Sequence, residues 1–143
     1  MTITPLLWFR GDCQEAFKLY ERAFRGTIVT MLTYAASKEG LTAPPDWREK
    51  IFHATLRIGD QMLMGGDPLP EQYQPMQGVQ LTIGLADPAE ADRVFQALAE
   101  DGTVHMQLQE TSWAIRFGVV ADRFGISWLI NCEAAAEPSA PAH

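Results

Sequence analysis

Apolar and polar positions alternate along this chain in short runs, interrupted twice by a slower, helical rhythm. Residues 3–10 (ITPLLWFR) form an apolar run that predicts a buried strand. Cys13, Ala16, Phe17, Tyr20, Ala23 and Phe24 then recur at three- and four-residue steps, the spacing of a helix with one apolar stripe. Asp12 is placed to open that helix, with Glu15 three residues on as in a capping box, and Gly26 to end it. Residues 27–35 (TIVTMLTYA) are β-branched and aromatic, which predicts a strand. Residues 36–49, with a Pro-Pro pair, predict a loop. Residues 50–58 and 61–65 predict two strands joined at Gly59-Asp60, a hairpin turn signal. Residues 66–78 (GDPLPEQYQPMQG) hold three prolines and read as a linker between half-domains or a loop over a site.

The second half repeats the first. Residues 79–85 alternate strictly, with Val79, Leu81, Ile83 and Leu85 on one face and Gln80, Thr82 and Gly84 on the other. Asp87-Pro88 opens a second helix with Glu90 again three residues on, Ala91, Val94, Phe95 and Leu98 form its stripe, and Gly102 is placed to end it. Residues 103–110, 113–120 and 126–132 predict three strands, and the tail AAAEPSAPAH reads as flexible. Residues 12–20 and 87–95 share the pattern D-x-x-E-A-x-x-(Leu/Val)-aromatic, 75 residues apart. The chain is a strand-helix-three-strand unit written twice. This predicts an α+β fold in one domain, 1–133, with a first βαβββ unit at about 3–66, a second at about 79–132, and a flexible tail at 134–143. The mixed, curved sheets of the two units are expected to form a cup, with the helices on the convex side. A hollow of that kind suits a small molecule.

Charge and cysteine content narrow the partners. A net charge of −7 argues against nucleic acid or an anionic membrane as the main partner. No apolar run approaches the roughly 20 residues of a spanning helix, and the N-terminus lacks a basic segment and cleavage site. The expected location is the cytoplasm. Cys13 and Cys132 have neither CxxC nor zinc-ligand spacing and read as free thiols. The first turn of a helix can lower a thiol pKa, but Cys13 also fits the buried stripe as a small residue.

Several stretches together resemble the vicinal oxygen chelate superfamily (glyoxalase, bleomycin-resistance and extradiol dioxygenase proteins), and within it the PhnB-like branch. They are PLLWF at 5–9, Glu15-Ala16, HATLRIG at 53–59, LMGGD at 63–67, QETSWA at 109–114 and FGVVADRFGISW at 117–128. The resemblance spans residues 4–132, with Gly66 and Ser112 as mild departures. It implies the same two-repeat cup and, as in many relatives, a homodimer. Metal-dependent relatives take His and Glu ligands from the first and fourth strands of each unit. The corresponding positions here are Pro5 and Gln80, or Leu7 and Thr82, with Met62 or Met64 and Trp128, Leu129 or Ile130. None is a His or a carboxylate, so neither metal nor cofactor is expected, a divalent ion being the minority reading.

Strand parity then selects the residues facing the hollow. Ala54, Leu56 and Ile58 are expected against the helices, which turns His53, Thr55 and Arg57 into the cup beside Gln80 and Thr82. The 75-residue offset carries Phe9 there as well. The candidate ligand-binding set is Phe9, Trp113, Phe117 and Trp128 as apolar walls and His53, Arg57, Gln80 and Glu110 as polar contacts, with Asp67 at the loop mouth. Each has a plainer alternative. His53 could bond a backbone carbonyl, Arg57 pair with an acidic neighbour, and Trp113 and Trp128 belong to the core or an interface. Glu110 could cap the Thr111-Ser112 turn and Asp67 start an Asp-Pro turn. The leading reading is a binding protein with a metal-free cup for a small, partly aromatic or anionic molecule. The other is an enzyme of lyase, isomerase or dioxygenase type, with His53 as general base or with a metal. Methyl transfer is least expected, because no Gly-rich nucleotide loop follows the first strand.

Overall fold

The computed structural model describes residues 1–133; the stretch 134–143, expected to be a flexible tail, lies outside the described residues. The strands are β1 (Leu6–Trp8), β2 (Thr27–Thr33), β3 (Ile51–Ile58), β4 (Gln61–Gly66), β5 (Leu81–Leu85), β6 (Thr103–Gln109), β7 (Ala114–Ala121) and β8 (Ser127–Glu133). Helix α1 (Cys13–Phe24) follows β1, and helix α2 (Pro88–Ala99) follows β5. The chain divides into two compact units. One is Met1–Gly78 with Phe124–Ile126, and the other is Val79–Arg123 with the residues from Ser127 on. The α+β class with βαβββ written twice is the one found.

Each unit has the same topology. The first sheet is ordered β1-β4-β3-β2 and the second β5-β8-β7-β6. In each, the first pair is parallel and the other two are antiparallel. Helix α1 buries Cys13, Ala16, Phe17, Leu19, Tyr20 and Ala23, and α2 buries Ala91, Val94, Phe95 and Leu98. Each large side chain so buried contributes roughly 1.5–3 kcal/mol.

Neither helix ends as the sequence predicts: Arg25 is itself the left-handed cap of α1, whereas α2 is capped by Glu100 at φ −60° and turns one residue later, at Asp101. A non-glycine residue takes the left-handed turn: Arg25 has φ 52° and Asp101 φ 57°. The glycine that follows each is needed for close approach instead. A Cβ on Gly26 would lie 2.7 Å from the Arg57 carbonyl oxygen, and one on Gly102 would lie 2.4 Å from that of Ala121.

The helix starts differ. Asp87 caps α2 by accepting the Ala89 N–H at 3.0 Å. Asp12 makes no side-chain cap on α1, its carboxylate accepting Arg10 N–H at 3.2 Å instead. The cap is Asp67, whose Oδ1 accepts the N–H groups of Gly11 (2.9 Å) and Cys13 (3.1 Å). Glu90 forms a side-chain ion pair with Arg93, one turn on along α2.

Strand limits and loops also differ from expectation. β1 has three residues, because Pro5 has no N–H to donate and Gly11, at φ 96°, turns the chain away. β5 starts two residues late, after Gly78 at φ 73°. The 36–49 loop holds two short 3-10 turns, Lys38–Leu41 and Pro45–Trp47.

Candidate functional site

In each unit the helix covers one face of the sheet and leaves the other without a helix. Register sorts the residues, since directly paired residues share a face. In the first unit a Cβ on Gly65 would meet Phe17 of α1, so Gly65 and its partners Leu7 and Ala54 face the helix. Leu56 and Leu63 pair on that face and are buried. The helix-free face therefore carries Leu6, Trp8, His53, Thr55, Arg57, Met62 and Met64. Leu6, Trp8 and Met62 are exposed there.

Phe9 is not on that face. It is buried at 1% exposure against Phe17 and Tyr20 of α1, with ring centroids 6.1 and 6.4 Å apart. The reason is a one-residue difference between repeats. Two residues, Arg10 and Gly11, separate Phe9 from Asp12, whereas Ala86 alone separates Leu85 from Asp87. The helices match at an offset of 75, but the strands before them match at 76, and one residue reverses strand parity. Trp8 and Leu6, absent from the sequence-derived set, stand where Phe9 and Leu7 were expected.

His53, Thr55 and Arg57 do share the helix-free face. The His53 Nε2 lies 3.3 Å from the Thr55 hydroxyl, a side-chain contact in place of the carbonyl bond considered above. Arg57 is exposed and its guanidinium makes no ion pair among the described residues.

Asp67 is a structural residue, not a ligand contact at a loop mouth. It is 1% exposed, and its Oδ2 accepts the Ile51 N–H at 2.9 Å while Oδ1 holds Gly11 and Cys13. Its own carbonyl accepts from the Tyr34 hydroxyl and the Trp47 indole. Burial pushes its carboxyl above the usual range, against the pull of the three N–H donors. The same burial, with Asp67 and Asp12 nearby, pushes the Cys13 thiol strongly upward. The helix start therefore does not activate Cys13.

In the second unit a Cβ on Gly118 would meet Phe95 of α2, which sets Gly118, Val120, Trp128 and Ile130 on the helix face. Trp128 is 3% exposed and donates its indole N–H to buried Asp122 at 2.9 Å. It belongs to the core and not to a ligand wall. The helix-free face carries Phe117, Val119, Ser127, Leu129 and Asn131, with Thr82 and Gly84 of β5 alongside. Gln80 joins them by donating to Ser127 Oγ at 3.2 Å. Trp113 is 59% exposed and meets Phe117 edge-on, centroids 5.4 Å apart. The turn before β7 is held by Thr111, whose hydroxyl oxygen accepts from Ala114 N at 3.1 Å; Glu110 is exposed and does not cap it.

Asn131 was missed by sequence reasoning. Its amide donates to Glu133 at 3.2 Å, while its Oδ1 is buried and accepts no hydrogen bond among the described residues. Its position in an alternating strand was the available signal.

The donor set on these faces does not fit the metal of the superfamily. First- and fourth-strand positions offer Leu6, Trp8, Met62 and Met64 in one unit. The other offers Gln80, Thr82, Ser127, Leu129 and Asn131, with Glu133 at the strand end. One carboxylate among carboxamides, hydroxyls and thioethers is not a His/Glu set. Among the described residues no three His, Cys, Asp or Glu side chains come together. No helix among them is long and apolar enough to cross a membrane.

A family model described as 3-demethylubiquinone-9 3-methyltransferase matches residues 1–131. Protein YjdN of Escherichia coli is 31% identical over 92% of this chain and 95% of its own. The crystal structure of PA1353 from Pseudomonas aeruginosa superposes with a TM-score of 0.85 at 41% identity, covering 94% of this chain and 98% of that one. A PhnB protein from Bacillus cereus gives 0.78 at 27% identity, covering 92% and 99%. The chain belongs to this PhnB-like family of the vicinal oxygen chelate fold.

Proposed function

We propose that this chain is a PhnB-like binding protein that holds a small, partly aromatic or anionic molecule without a metal ion. The observation carrying the reading is the helix-free face of the first unit, where exposed Leu6, Trp8 and Met62 stand beside His53, Thr55 and Arg57. A sheet face meant only for water is polar. Apolar area rimmed by polar groups is how ligand grooves and partner surfaces read. Arg57, always charged and free of a carboxylate partner among the described residues, suits an anionic group. Trp113 and Phe117 supply aromatic surface in the second unit.

The poor donor set supports metal-free binding. The methyl transfer named by the family model draws no support from the turn after β1. Its N–H groups at Gly11 and Cys13 already serve Asp67 and are not free for a nucleotide. Catalysis by His53 lacks a second acid–base group along its row. The family resemblance extends the reading to a cytoplasmic homodimer with a small-molecule partner, and the net charge of −7 disfavours nucleic acid and anionic membrane.

A thermal-shift screen pairing aromatic carboxylates with their neutral amides tests the reading, alongside metal analysis of protein purified without chelator. The expected result is a rise in Tm with the carboxylates, reduced in Arg57→Gln, and no stoichiometric ion. A stoichiometric ion would overturn it. So would a turnover that His53→Ala abolishes while affinity is kept.

A further inference from the structure

Across three strands of the second sheet, Gly84, Asn131 and Phe117 lie side by side, with Asn131 in the middle. Neighbouring strands are about 4.8 Å apart, so the row is roughly as wide as one aromatic ring with a substituent. All three face away from α2. A Cβ on Gly84 would have nothing within 4 Å, so there is open space on that side of Asn131. On the other side stands the Phe117 ring, braced edge-on by Trp113.

The Asn131 carboxamide is held in one orientation, because its amide donates to the Glu133 carboxylate and a flipped amide would set oxygen against oxygen. That leaves Oδ1 shut off from solvent and without a donor among the described residues. A buried acceptor left unpaired is costly, and proteins rarely keep one without a use. Glu133 sets this orientation in the free fold, and a partial turn about the soft χ2 torsion into the space over Gly84 would bring Oδ1 to a donor when a ligand binds.

We propose that Gly84, Asn131 and Phe117 form a subsite for the hydrogen-bond-donating end of a flat ligand, a neutral N–H or O–H group on an aromatic ring. This rests on the binding reading above and names the chemistry of one end of the ligand.

Three variants and two matched pairs of probes test it. Phenol against anisole, and benzamide against N,N-dimethylbenzamide, differ in donor capacity but little in ring size. Calorimetric titration of the wild type is expected to show each donor binding at least tenfold tighter than its partner. Gly84→Val fills the open space on an extended strand that favours β-branching, so it should keep the wild-type Tm and lose donor binding at least tenfold. Asn131→Leu removes the unpaired acceptor, so its Tm should rise by about 2–5 °C while the preference for donors disappears. Equal binding of donor and non-donor, or full binding by Gly84→Val, would overturn the subsite and leave the binding reading standing. A fall in Tm for Asn131→Leu larger than that of Glu133→Ala, which removes only the amide's acceptor, would mean that its oxygen is paired in the fold, and would likewise overturn the subsite alone. Binding of none of the four probes while aromatic carboxylates still raise Tm would overturn the subsite alone, and failure of the carboxylates as well would overturn both.

Discussion

The carboxylate of Asp67 caps a helix that begins 54 residues earlier, accepting the Cys13 N–H at 3.1 Å. The same side chain takes the Gly11 and Ile51 N–H groups, so it ties the start of α1 to β3. Three backbone donors lose their acceptor in Asp67→Ala. Each buried orphan costs about 1–3 kcal/mol, and the losses do not add fully. We expect Asp67→Ala to lose about 3 kcal/mol or more in urea denaturation. A loss no larger than that of an exposed acid would show that the clamp is not made in solution.

The pH dependence of this clamp has a definite sign. Burial, the largest influence, holds the Asp67 carboxyl above 3.8; the Ile51, Cys13 and Gly11 donors oppose it, and Asp12 adds to the rise. The folded chain then binds this proton more tightly than the unfolded chain. The stabilisation is fullest below the unfolded value and is lost as pH rises through the folded one. Measured against Asp67→Asn, which does not titrate, the wild type should lose relative stability as pH rises from about 4. A relative gain over that window would reverse the sign and refute the assignment.

Phe9 and Gly65 test the reversed parity of β1. A Cβ on Gly65 would lie 2.5 Å from Phe17 Cε1 and 3.2 Å from Phe9 Cε2, inside a packed aromatic cluster. Gly65→Ala should therefore cost about 1–3 kcal/mol through overpacking. If Phe9 faced away from the helix, alanine at Gly65 would be better tolerated.

Trp113 and Trp128 looked alike in the sequence and do opposite work. Trp128→Phe removes the indole N–H that reaches Asp122, a cost of about 1–3 kcal/mol. Trp113→Ala, at a residue 59% exposed, should change stability by about 1 kcal/mol or less. Ligand affinity should follow the reverse order. A Trp113 variant that unfolds readily and binds normally would reassign it to the core.

What could be read in advance depended on the distance between interacting residues. The helix stripes, the hairpin turn at Gly59 and the repeat itself are local patterns, and they placed ten elements in order. His53, Arg57 and Gln80 were assigned to helix-free faces because their own strands alternate. Phe9 failed because LLWF is apolar on both faces and its phase had to be borrowed from the repeat, across a connection one residue longer. Asp67 failed for another reason: its three partners sit 16 to 56 residues away, and nothing local marks a carboxylate as their acceptor. Trp128 was misplaced because an aromatic in an alternating strand does not say which face has the helix.

Asp12 and Asp87 give the last prediction, since the sequence casts them as equivalents. Asp87 accepts the Ala89 N–H and holds the first turn of α2, so Asp87→Ala should cost about 1 kcal/mol, as loss of a cap does. Asp12 does no such work. Its charge lies near Asp67 and disfavours the ionised form of that buried carboxyl. Removing the charge in Asp12→Asn keeps an oxygen for the Arg10 N–H and relieves the repulsion. The variant should be as stable as the wild type near pH 4 and more stable at neutral pH, because only an ionised Asp67 feels the difference. A loss from Asp12→Ala in thermal unfolding as large as that from Asp87→Ala would return Asp12 to the capping role.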